Sequence, residues 1–128
     1  MRTISLYHPK KLIFGNDSIK NFIEEYLLTN YKRLFVVTTP PILSLIKDSI
    51  DELKKRKIEL IIDDSITTEP TISSFLNSLE KAKSSNVDSV VGIGGGSVLD
   101  VSKLISSLLN SEQTIYEIIE KGTVKERK

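Results

Sequence analysis

Strand-type and helix-type segments alternate along all 128 residues, which predicts an α/β fold: a Rossmann-like, mainly parallel sheet with helices on both faces. Three observations carry this. The runs at residues 34–37, 58–62 and 89–93 are nearly continuous in apolar side chains, as strands covered on both faces are. Between them lie stretches whose apolar residues recur three and four apart, the period of a helix with one buried face. Finally, Val90-Val91-Gly92-Ile93-Gly94-Gly95-Gly96-Ser97-Val98-Leu99-Asp100 passes from strand through glycines into a helix that Ser97 is expected to cap. That is the shape of a backbone built to approach an anion.

In chain order, residues 3–7 and 11–14 read as two short opening strands, a hairpin-like start linked by His8-Pro9-Lys10. Gly15-Asn16-Asp17-Ser18 is a turn and helix-start signal, and Ile19, Phe22, Ile23, Tyr26 and Leu27 give the first helix its stripe. The strand at 34–37 closes in Thr38-Thr39-Pro40-Pro41, with the prolines suited to a helix's first turn. Ile42, Ile46, Ile50 and Leu53 mark a second helical face. After the strand at 58–62 and a polar loop at 65–70, Ile72, Phe75, Leu76 and Leu79 mark a third. Val101, Leu104, Ile105 and Leu108 mark the helix after the glycines, residues 114–120 read as a last short helix, and residues 121–128 as a basic tail. The whole is one domain, residues 1–128.

Composition narrows the function. Eighteen basic against seventeen acidic side chains leave a formal net charge of +1, which supports neither a nucleic-acid binder nor a membrane-surface binder. Residues 1–5 lack the apolar core of a signal peptide, and no apolar run approaches membrane-spanning length. With no cysteine there is no disulfide framework, and a cytoplasmic location is the default expectation. Absent cysteine and a single histidine, His8, also rule out a zinc or iron site built from those ligands alone. Asp63-Asp64 is the best acidic pair, and its plain reading is a solvated turn after a strand.

In parallel α/β sheets, ligands gather at the carboxyl ends of strands. The glycine turn, the 38–41 turn and the 65–70 loop all fall there, so the site is expected at that edge. Gly92-Ile93-Gly94-Gly95-Gly96-Ser97 misses the last glycine of the dinucleotide fingerprint and follows a late strand, and no Walker lysine is present. On spacing alone, an anion-binding turn and a purely structural tight turn both stand. Ser97-x-x-Asp100 also fits a capping box, and Asp100 with Lys103 fits an i,i+3 ion pair.

The stretch Gly94-Gly95-Gly96-Ser97-Val98-Leu99-Asp100-Val101-Ser102-Lys103 resembles the G-G-G-S-x-x-D-x-x-K signature of the iron-containing (group III) alcohol dehydrogenases. Leu12-Ile13-Phe14-Gly15, Phe35-Val36-Val37-Thr38 and Glu69-Pro70-Thr71 resemble other segments of that family, in the same order. The resemblance implies the N-terminal domain that binds NAD or NADP in an enzyme transferring hydride between an alcohol or aldehyde and the nicotinamide, aided by a divalent metal such as iron or zinc. It places Gly95, Gly96 and Ser97 on the pyrophosphate, with Gly94 beside them in the turn. Asp100 and Lys103 fall near the nicotinamide ribose or substrate, Thr39 and Pro40 by the adenosine ribose, and Glu69 towards the adenine. Ser97 with Lys103 favours the alcohol dehydrogenase branch over the similar glycerol dehydrogenases and dehydroquinate synthases.

Two departures matter. Thr39 stands where many members carry an acid that would repel a 2′-phosphate, which leaves NADP open beside NAD. Asp17 replaces a family glycine in an early turn. The all-helical domain that carries the family's metal ligands has no counterpart in these residues, so no catalytic or metal-ligating residue is expected in them. The chain reads as a truncated cofactor half, with weak dinucleotide affinity and no turnover by itself. A homodimer through residues 1–14 follows from the resemblance. A non-catalytic nucleotide-binding or dimerisation module is the reading from a different class.

Overall fold

In chain order the computed structural model, which describes residues 10–122, runs α1 (Ser18–Leu27), β1 (Arg33–Val37), α2 (Pro40–Leu45), α3 (Lys47–Lys55), β2 (Glu59–Asp63), α4 (Ile72–Ser84), β3 (Ser89–Gly92), α5 (Gly96–Leu108) and α6 (Ile115–Lys121). The strands form a parallel sheet in the order β2–β1–β3. Central β1 explains why its sequence is apolar throughout: alternate side chains serve opposite faces. Phe35 and Val37 enter a core with α4, α5 and α6, whereas Leu34 and Val36 enter a second core with α1 and α3. Both sheet faces are thus covered by helices, as the alternation predicts.

Two helix starts are fixed by capping boxes that the sequence reading did not name. Thr71 caps α4 in a reciprocal box with Ser74, and Thr114 caps α6 in one with Glu117. Asp17, in the turn before α1, has φ 57°, in the left-handed region that aspartate tolerates better than most residues. The helical face at residues 42–53 is divided at Ile46, but the ladder continues through it: Ile46 N–H donates to Ile42 at 3.0 Å and Ile50 N–H to Ile46 at 3.0 Å.

Two expectations are corrected. Residues 11–14 form no strand; Leu12 and Phe14 are 84% and 99% exposed, and no described strand offers them a ladder. The third helical stripe is shifted round the helix, because α4 buries Phe75, Ser78, Leu79 and Ala82 while Ile72 and Leu76 stay exposed. The expected strand at 3–7, His8 and most of the basic tail lie outside the described residues. At the amino edge of the sheet, Asp88 accepts hydrogen bonds from the backbone N–H groups of Lys32 and Arg33 at 2.7 and 3.1 Å. That clasp ties β3's start to β1's.

Candidate functional site at the carboxyl edge of the sheet

Because all described strands run the same way, their carboxyl ends meet along one edge. Val37 stands opposite Asp63 on one side and Gly92 on the other. Just beyond, Thr38 fastens the two neighbours of β1 together. Its backbone N–H donates to the Asp63 carbonyl at 2.9 Å, and its hydroxyl donates to the Ile93 carbonyl at 2.8 Å. Ile93 N–H returns a bond to the Val37 carbonyl at 2.9 Å. Thr38 is fully buried, so Thr39 and Gly94, one residue further along each chain, start from a fixed platform.

The glycines of the turn divide into two kinds. A Cβ at Gly92 would lie 2.3 Å from Ser102 Oγ, and one at Gly94 would lie 2.9 Å from Val98 Cγ2. These two let α5 pack closely on the sheet. A Cβ at Gly95 or Gly96 would meet nothing within 4 Å. Neither has positive φ; among the described glycines only Gly15 and Gly122 do. Gly95 and Gly96 therefore keep space open rather than satisfy a dihedral, the opposite of the usual reason for a glycine turn.

Gly95, not Ser97, is the N-cap of α5, and no side chain caps it. The first bond to close the helix is Leu99 N–H to the Gly95 carbonyl at 3.1 Å, so the N–H groups of Gly96, Ser97 and Val98 precede any intrahelical acceptor. They point out of the amino end of a 13-residue helix, where its dipole favours an anion. Ser97 is exposed beside them. Asp100 does not reach back to form the expected capping box; it pairs with Lys103 at 3.6 Å, both side chains 73% exposed. A pair so exposed contributes little stability.

Thr39 is the N-cap of α2, extended at φ −128° and ψ 156°, with its hydroxyl unused in capping, and Pro40 opens the helix. Both adjoin the glycine turn through the Thr38–Ile93 bond. Glu69 is exposed in the loop between β2 and α4, one strand further out.

The acidic pair is where sequence reading missed most. Asp64 is half-buried, but Asp63 is only 3% exposed. Its carboxylate accepts hydrogen bonds from Ser65 N–H at 3.2 Å, Ser65 Oγ at 2.6 Å and, very closely, Ser78 Oγ. Burial pushes this carboxyl up, but the bonds from Ser65 and Ser78, with Lys81 nearby, outweigh it and hold the group below the ordinary carboxylate value. The charged form is thus favoured in the folded state. Its contribution to stability is complete above the unfolded value of about 3.9 and is lost as pH falls through the lower folded value. Urea midpoints of the chain are expected to hold level from about pH 6 to 5 and to fall below about pH 4. Asp63→Asn should flatten part of that fall, and an unchanged acid slope in the variant would contradict the assignment.

Among the described residues, no group of three or more His, Cys, Asp and Glu side chains converges to hold a metal ion. Nor is any described helix long and apolar enough to cross a membrane. The donors and open space at Gly95–Gly96 do suit a diphosphate.

Comparison with known proteins agrees with the α/β fold. Residues 9–128 match the family described as iron-containing alcohol dehydrogenase. Alcohol dehydrogenase 4 of Schizosaccharomyces pombe is 28% identical over 127 residues, covering 96% of this chain and 30% of that protein. A glycerol-1-phosphate dehydrogenase [NAD(P)+] of Sulfurisphaera tokodaii is 34% identical over 110 residues, covering 81% of this chain and 29% of that one. Among solved structures, the NADH-dependent butanol dehydrogenase A of Thermotoga maritima superposes with a TM-score of 0.83 at 25% identity, over 98% of this chain and 33% of that one. The chain spans about a third of the length of these relatives.

Proposed function

From the premise that this chain belongs to the iron-containing alcohol dehydrogenase family, we propose that its carboxyl-edge site binds a nicotinamide dinucleotide and that the whole protein transfers hydride between that cofactor and an alcohol or aldehyde. The observation that carries this is the open space over Gly95 and Gly96, directly in front of the unpaired N–H groups of α5. Gly95, Gly96 and Ser97 hold the pyrophosphate, with Gly94 setting their approach. Thr39 and Pro40 border the adenosine ribose, Glu69 lies towards the adenine, and Asp100 and Lys103 face the nicotinamide side. The dinucleotide, when bound, supplies the hydride acceptor or donor; the chain's residues bind and orient it.

Thr39 places no carboxylate where a 2′-phosphate would sit, which supports acceptance of NADP as well as NAD. The S. tokodaii relative, whose name gives NAD(P)+, supports a cofactor choice of the same breadth. That relative also supports a second reading of the substrate, a polyol phosphate in place of a simple alcohol. A cytoplasmic setting and a homodimer through residues 1–14 belong to the same proposal, the latter supported by the exposure of Leu12 and Phe14.

The test is an NMR titration of the labelled chain with NAD and then NADP, beside Gly95→Val. Saturable shifts at the amides of residues 94–97 and at Thr39 are expected. Gly95→Val should weaken binding at least about tenfold by filling the open space, while its thermal midpoint stays within a few degrees because its Cβ meets no neighbour. Dinucleotide binding that Gly95→Val leaves intact would sink the assignment.

A further inference from the structure

Asp63 sits where the edge of the sheet meets the loop at residues 64–71. Its carbonyl accepts Thr38 N–H at 2.9 Å, tying the end of β2 to β1. One carboxylate oxygen accepts both Ser65 donors, which turns the chain away from the strand. The other accepts Ser78 Oγ, from a residue buried on α4. One side chain thus grips the loop where it starts and the helix into which it runs. Between those grips Ile66, 3% exposed, anchors the loop in the core with Phe75, and the Thr71–Ser74 box closes its far end. Glu69 and Pro70 are carried on the span between the anchors. The carboxylate itself is buried and already accepts three hydrogen bonds, so it is in no position to act as a ligand.

We propose that Asp63 is a positioning residue, which fixes the loop at residues 64–71 as the adenosine-side wall of the cleft and so sets affinity for the adenosine part of the dinucleotide. This rests on the site reading given above. A charged acceptor suits the task, because hydrogen bonds to a carboxylate are stronger than those between neutral groups. Burial also keeps water from competing for them. The pyrophosphate subsite is built on α5, which follows β3 on the other side of β1 from β2, and should feel the loss of this anchor less.

Two probes separate positioning from general damage: ADP, which reaches the wall, and inorganic pyrophosphate, which occupies only the glycine turn. Both are titrated by NMR into the full chain and into Asp63→Asn, and amide exchange at Ser65 is followed without ligand. In Asp63→Asn, Ser65 exchange should quicken about tenfold and ADP should weaken about five- to tenfold, less than the full loss of a hydrogen bond to a charged group because the loop, not the ligand, loses it. Pyrophosphate affinity should change less than about twofold. Ser78→Ala keeps the carboxylate and the Ser65 bonds, and should show the same selective loss to a smaller degree; if Asp63→Asn does not fold, it decides the question. Equal weakening of both probes, or unchanged ADP affinity and Ser65 exchange, overturns the proposal. A parent chain that binds neither probe fails the site reading itself, and the positioning role falls with it.

Discussion

Gly92→Ala is expected to destabilise the chain by about 3 kcal/mol, near the upper end of the ordinary cost of overpacking. The added methyl would lie 2.3 Å from Ser102 Oγ, 2.8 Å from Ser102 Cβ and 3.3 Å from the Val98 carbonyl oxygen. Rotating the Ser102 hydroxyl relieves the first contact only. The other two involve atoms fixed to the backbone of α5, so the helix must move off the strand. That helix also carries Val98, Val101, Ile105 and Leu108 into the core, and its displacement loosens all four. With a urea slope of about 2 kcal/mol per molar, the midpoint should drop by roughly 1.5 M. Ser102→Gly in the same chain should recover part of the loss. A Gly92→Ala midpoint equal to the parent's would show that α5 is not seated on β3 as described.

The contrast with Gly95 shows what the sequence made legible and what it did not. Gly92, Gly94, Gly95 and Gly96 look alike in a motif, because spacing records only that side chains are missing. What a side chain would have met depends on where Val98 and Ser102 sit once α5 has folded back on the sheet, and that is tertiary information. The same limit explains Asp63. An Asp-Asp pair at a strand end has the composition of a solvated turn; the group that buries it, Ser78, lies fifteen residues further on, across a loop. The Ser97–Asp100 box failed for a smaller reason, because the helix begins two residues earlier than its serine suggests. By contrast, Ile50, Leu53, Val101, Ile105 and Leu108 were readable as buried positions, since helical periodicity is local and directly reports the face turned inward. The continuous apolar run of β1 likewise reported that both faces of the sheet are covered, though the same feature in β2 and β3 left the strand order open.

The central place of β1 makes Phe35→Ala the most damaging single truncation expected, at about 4 kcal/mol. Phe35 is fully buried, in the core that β1 shares with α4, α5 and α6. Removing its ring leaves a cavity that cannot collapse easily. One wall is the sheet itself, held on both sides by parallel neighbours, and the opposite wall is made of helices fastened to other strands. A loss of this size is a large part of the total stability of an ordinary domain, and the thermal midpoint should fall by roughly 15 °C. The damage should also cross the sheet. Leu34 and Val36 belong to the opposite core, but they stand on the same backbone as Phe35, so neither core can release β1 while the other keeps it. Amide exchange in Phe35→Ala should therefore quicken to a similar extent at Val36 and at Ile105. If Ile105 alone exchanged faster, the two helical layers would be separate folding units, and β1 would be a shared wall rather than the element that makes them one.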